Sequence, residues 1–174
     1  MHDLPLAHIT FSGLFQLAAE GEDAEVPLTA LSGPDEHIHG HLVIAVGDRV
    51  VPQMGFWGPH DVCFNTWFEE LETVVRELRD RPSATYVFDE GEQGQPAFQF
   101  ARDDDLLRIS VIDSLISDGV GDESFQSVAC SWNDFLAQIY GLFENFRVEV
   151  LAANPTIGPL WLEKHLPRLV VENR

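Results

Sequence analysis

Two stretches of this chain repeat their apolar residues at helical spacing, and the runs around them alternate at the spacing of a strand. Trp67, Phe68, Leu71, Val74, Val75 and Leu78 fall on one stripe, with Glu69, Glu70, Glu72 and Glu77 off it. That spacing predicts an amphipathic helix over residues 65–79, stopped by Pro82. Trp132, Phe135, Leu136, Ile139, Phe143 and Phe146 form a second stripe. Ser131 before it and Asp134 after it have the form of a capping box. This helix is predicted to end near residues 154–155, at Asn-Pro. A short helix is predicted over 159–165. A helix with one apolar side must bury that side, and the rest of the chain reads as strands.

Those strand runs are 9–17, 37–46, 50–54, 85–89, 97–102, 106–113 and 125–130. In the first, Ile9, Phe11, Gly13, Phe15 and Leu17 are expected on one face. The short polar connections at residues 91–94 and at Asp103-Asp104-Asp105 predict an antiparallel meander rather than alternating βα units. The expectation is a single α+β domain over residues 1–174. Its form would be an antiparallel β-sheet with two long amphipathic helices packed on one face. The other face of such a sheet is open to water and is the natural place for a binding surface.

Charge narrows the function. The chain carries 10 Lys+Arg against 29 Asp+Glu, a formal net charge of −19. Such a field repels nucleic acid and anionic membranes and attracts basic proteins at long range. No apolar run approaches the roughly 20 residues that span a bilayer. The first ten residues do not read as a signal peptide, so the expected location is cytoplasmic. The two cysteines, Cys63 and Cys130, have aromatic neighbours and are expected as buried free thiols.

The sharpest local pattern is His37, His39 and His41. On a strand these residues share a face, and imidazoles are ligands for zinc and other divalent transition metals. All of them on one ion is geometrically difficult, because neighbours on that face are nearly 7 Å apart at about 3.3 Å per residue. A pair chelates more readily. His60, Asp61 and Cys63 would complete a site if the chain folds back. The rival reading is a solvated strand face with no cofactor.

This stretch, residues 33–65, resembles a cupin, a metal-binding β-barrel family. His37 with His39, or His39 with His41, would take the place of that family's His-x-His. Pro52, Gly55, His60 and Asn65 follow in the order of its second motif. The sequence departs from the family: residues 43–46 hold no Glu, the interval between motifs is short, and a helix follows at once.

Other catalytic signatures are missing. There is no Gly-x-Ser-x-Gly elbow and no phosphate-binding loop. No sequence neighbour activates either cysteine. Asp103, Asp104 and Asp105 lack the pattern of a calcium loop and read as a turn. Together these absences point away from an enzyme and towards a binding module.

In size, charge and α+β character the whole chain is similar to the immunity proteins of bacterial polymorphic toxin systems. The resemblance implies a non-catalytic acidic module that neutralises a basic toxin domain. Glu22, Asp23 and Glu25 in the acidic segment 20–36, with residues 89–92 and Asp103, Asp104 and Asp105, would steer the cationic partner. Phe56 and Trp57, aromatic residues between glycines, would anchor it, unless they cap the edge of the core. Two further readings stand beside this one. One is a metal-binding protein or metal-dependent enzyme using His37, His39, His41 and His60. The other is a subunit that forms a homodimer through an exposed sheet edge.

Overall fold

The computed structural model describes residues 4–17, 25–55, 58, 60–91 and 94–166. The chain is α+β, with antiparallel pairing throughout the described strands. The single expected sheet is divided into two. The first contains β1 (Ala7–Leu17), β2 (Glu25–Pro27), β3 (Ile38–Val46), β4 (Arg49–Val50) and β5 (Val62–Cys63), in the order β2-β1-β3-β4 with β5 also on β3. The second is the predicted meander: β6 (Ser83–Phe88), β7 (Ala97–Asp103), β8 (Leu106–Ile112) and β9 (Val128–Ser131). The division has a local cause. The far edge of β3 is taken by β4 and β5, each of two residues, and such short strands end the ladder.

The helices begin and end close to their predicted bounds. They are α1 (Phe64–Arg79), α2 (Trp132–Ala153) and α3 (Gly158–His165). Phe64, Trp67, Phe68, Leu71, Val74, Val75 and Leu78 of α1 are buried, as the stripe requires. Trp67 meets Phe88 and Phe98 of the meander at 5.0 and 5.2 Å between rings. Phe135 of α2 meets Phe100 of the same sheet at 6.0 Å, while Phe146 meets Phe11 of the first sheet at 5.4 Å. So α2 runs from one sheet to the other, and aromatic contacts join the two.

Only half of the capping box forms at the start of α2. Ser131 Oγ accepts the Asp134 amide at 3.4 Å, but the Asp134 carboxylate accepts the Ala7 amide of β1 at 2.5 Å instead of returning to the cap. At the other end Asn154 is buried. Its side-chain amide donates to the carbonyls of Leu28 and Leu31 at 3.2 and 3.0 Å, and its oxygen accepts the Ile157 amide at 2.9 Å. Asn154→Ala would orphan these groups away from water. A loss of about 2–3 kcal/mol is expected, since each unsatisfied buried polar group costs roughly 1–3 kcal/mol. A urea titration that showed no change in midpoint would mean that water replaces the amide.

One strand departs from simple alternation. Ile9 opposes Ile44 and Phe11 opposes Leu42, on the buried side of β3. Between Ser12 and Phe15 the register of β1 slips by one residue against β3. This β-bulge inverts the parity of the strand. Phe15 therefore does not share a face with Ile9 and Phe11. It opposes His39, with the rings 5.8 Å apart. The same face of β3 carries His41.

Candidate metal centre

The site is built where β5 folds back on β3. Cys63 lies directly opposite His39 and Val62 opposite Gly40. Opposed residues of an antiparallel pair project to one side. Phe15, His39 and Cys63 thus form a row across β1, β3 and β5. The fold-back depends on Gly55, whose φ is +75°. A Cβ at this position would sit 2.2 Å from the Gly58 carbonyl and 3.0 Å from that of Asp61. Only glycine lets the backbone close here. The Asp61 amide then donates to the Gly58 carbonyl at 3.0 Å, which sets Asp61 and Cys63 over the histidine strand.

Asp61 Oδ1 is 2.9 Å from His39 Nδ1, and both side chains are mostly buried, at 12% and 13% exposure for His39 and Asp61. A carboxylate at Nδ1 holds the proton there and leaves Nε2 with its lone pair free. His37 stacks beside His39 with ring centroids 6.3 Å apart. Its Nδ1 lies 3.6 Å from Cys63 Sγ. Ligand atoms of His37, His39 and Cys63 all lie within 4.8 Å of one another. A tetrahedral zinc ion with bonds of about 2.0–2.3 Å holds its ligands roughly 3.5 Å apart, so closing around an ion needs only a small contraction.

Cys63 is the N-cap residue of α1. Burial pushes its pKa up, but His39 and the amide and hydroxyl of Thr66 pull it down further, leaving it below the ordinary thiol value. Burial likewise pushes His39 down, and Cys63 and Asp61 more than reverse this, so it titrates above the ordinary histidine value. The lowering comes from His39 across the sheet and from Thr66, three residues further along the chain. Cys130 is the contrast. It is fully buried, and burial followed by the charge of Asp134 pushes its pKa up to about 12. Iodoacetamide is therefore expected to modify Cys63 in the native apo chain and to spare Cys130. Intact mass should show a single adduct; a second one appearing before the protein unfolds would contradict this assignment.

Not every expected residue joins the centre. His37 and His39 do, and so does Cys63, which is half-buried rather than buried. His41 does not, because β5 ends before reaching it and its partner across β1 is Ser12. His60 is exposed and also outside the group, although Asp61 beside it is inside. Of the proposed steering residues, Glu25 is exposed at the start of β2. Asp103, Asp104 and Asp105 make the exposed turn between β7 and β8, where Asp104 has φ +53° and Asp103 pairs with Arg108 at 3.5 Å. Glu22, Asp23, Phe56 and Trp57 lie outside the described residues.

Chemically, two imidazoles and a thiolate are a zinc-type donor set. With three protein ligands, a fourth position is left for water or another small ligand. No protein-family model matches the chain, and no curated protein or solved structure matches it significantly.

Proposed function

We propose that the chain binds one transition-metal ion of the zinc class through His37, His39 and Cys63, with Asp61 orienting His39. The observation that supports this reading is the convergence of three donor atoms of the right kinds within 4.8 Å of one another. The Asp61–His39 contact supplies the outer partner that ligating histidines ordinarily have. The open fourth position makes metal-assisted hydrolysis the reaction class to test first.

The test is a titration of untagged, chelator-stripped protein with Co²⁺ and then Zn²⁺. Cobalt should bind one ion per chain and develop an intense thiolate-to-metal absorption band, which zinc then bleaches. Zinc should also protect Cys63 from iodoacetamide. Binding without the thiolate band would sink the proposed ligand set.

One observation favours a second reading. Cys63, His39 and Asp61 also stand in the order nucleophile, base and orienting carboxylate, with the thiol at a helix N-terminus. On that reading Cys63 is alkylated rapidly and zinc gives no protection at stoichiometric amounts. The same alkylation assay separates the two.

A further inference from the structure

We infer that residues 113–124, in the connection between β8 and β9, are a docking surface for a basic protein that has an apolar pocket. Its tip exposes Leu115 at 91%, Ile116 at 68% and Val120 at 69%. Single exposed apolar residues are ordinary, but a group held out on one connection is not.

The segment is held firmly. Asp89 accepts the Ser114 hydroxyl and the Leu115 amide at 2.8 and 2.7 Å. Ser117 Oγ donates to the Gln95 carbonyl at 3.0 Å, and Asp113 accepts the Gly121 amide at 2.8 Å. Gly119 lies so close to the neighbouring chain that a Cβ there would come within 1.8 Å of the Gln95 carbonyl oxygen. A rigid scaffold holding apolar side chains in water lowers the entropy lost on binding. These bonds hold Leu115 out in water rather than against the core.

Charge selects the occupant. Residues 113–124 contain Asp113, Asp118, Asp122 and Glu123, with no Lys, Arg or His. No Lys or Arg occurs anywhere in residues 109–146. Arg49, which reaches the base of the loop, is engaged with the Ser124 carbonyl and lies over the Phe125 ring. An apolar tip with an acidic rim repels anionic lipid, and two such tips repel each other. A partner with basic residues around an apolar pocket gains from both features. This surface shares no residue with the metal centre or with the turn at residues 103–105.

To test it, Leu115 is replaced by the photoreactive p-benzoylphenylalanine in the full chain, and the chain is irradiated in its native cells. The expected adduct is with one basic protein, identified by mass spectrometry. That protein is then purified and titrated against the native chain and its variants. Leu115→Ser with Ile116→Ser should weaken binding by about thirtyfold or more, as loss of a central apolar anchor does. Asp118→Lys with Glu123→Lys should weaken it too and reduce its salt dependence, while melting temperatures stay unchanged. The inference is overturned by the absence of an adduct, by an adduct with an acidic protein or a second copy of this chain, or by titrations that these substitutions do not alter. Binding of the native chain to phosphatidylglycerol vesicles through the same tip would overturn it as well.

Discussion

Replacing His39 with alanine is expected to lower zinc affinity by about a hundredfold or more, the largest effect on binding among single substitutions in this protein. His39 is the central residue of the site. It faces Cys63 across β3 and β5, stacks on His37 and takes the Asp61 carboxylate on Nδ1. Removing it deletes a ligand and also leaves Asp61 without its partner. Asp61→Asn should be milder, about tenfold to a hundredfold, the range for outer-shell partners of ligating histidines. His41→Ala should be neutral, because His41 stands outside the donor group. Competition with a chromophoric chelator measures all of these. Equal losses for His39→Ala and His41→Ala would mean that the histidine strand binds metal loosely along its length.

The pH dependence has a definite sign. A metal ligand must be deprotonated, so protons compete with zinc. His39 titrates above the ordinary histidine value of 6.5, and Asp61 is one of the groups that raise it. Zinc affinity should therefore fall as pH drops through that raised value. In Asp61→Asn one of the raising influences is gone, and the acid limb should move to lower pH even as affinity at neutral pH decreases. A limb that moved to higher pH would show that Asp61 does not act through His39.

Phe146→Ala is expected to give the largest loss of stability, about 3–5 kcal/mol, the range for emptying a buried phenylalanine site. Phe146 is fully buried. Its ring lies 4.6 Å from Phe68 and 5.0 Å from Phe64 of α1, 5.4 Å from Phe11 of β1 and 5.6 Å from Trp161 of α3. These contacts gather the first sheet and the α-helices α1, α2 and α3 around one side chain. The edge-on and tilted arrangements add to the area they bury. The expected fall in melting temperature is on the order of 10 °C, at roughly 2–4 °C per kcal/mol for a chain of this size. A drop of a degree or two would mean that the cluster collapses to fill the space. Phe64 follows Cys63 in sequence, so the same variant should also loosen the metal centre.

How much of this was legible in the sequence follows from which interactions are local. The stripe from Trp67 to Leu78 and that from Trp132 to Phe146 fixed two helices to within a residue or so, because helical period is a property of neighbouring residues. The meander was legible for the same reason, with Asp103-Asp104-Asp105 as its turn. The histidines at alternate positions could be read as metal ligands or as a solvated strand face, and Cys63 and Asp61 could be named as completing a site only if the chain returned. Whether it returned, and in which register, was decided by the tertiary structure. Gly55 closes the loop, and β5 pairs so that Cys63 meets His39 rather than His41. The bulge in β1 turns Phe15 from the core to the wall of the site. A shift of one residue in either strand would carry Cys63 or Phe15 to the opposite face, and pattern within a strand does not encode that choice. Sequence alone determined which residues are apolar, acidic or metal-seeking and the elements they lie on. The pairing of distant strands decided which of them meet, because register is set by the packing of both partners and belongs to neither strand by itself.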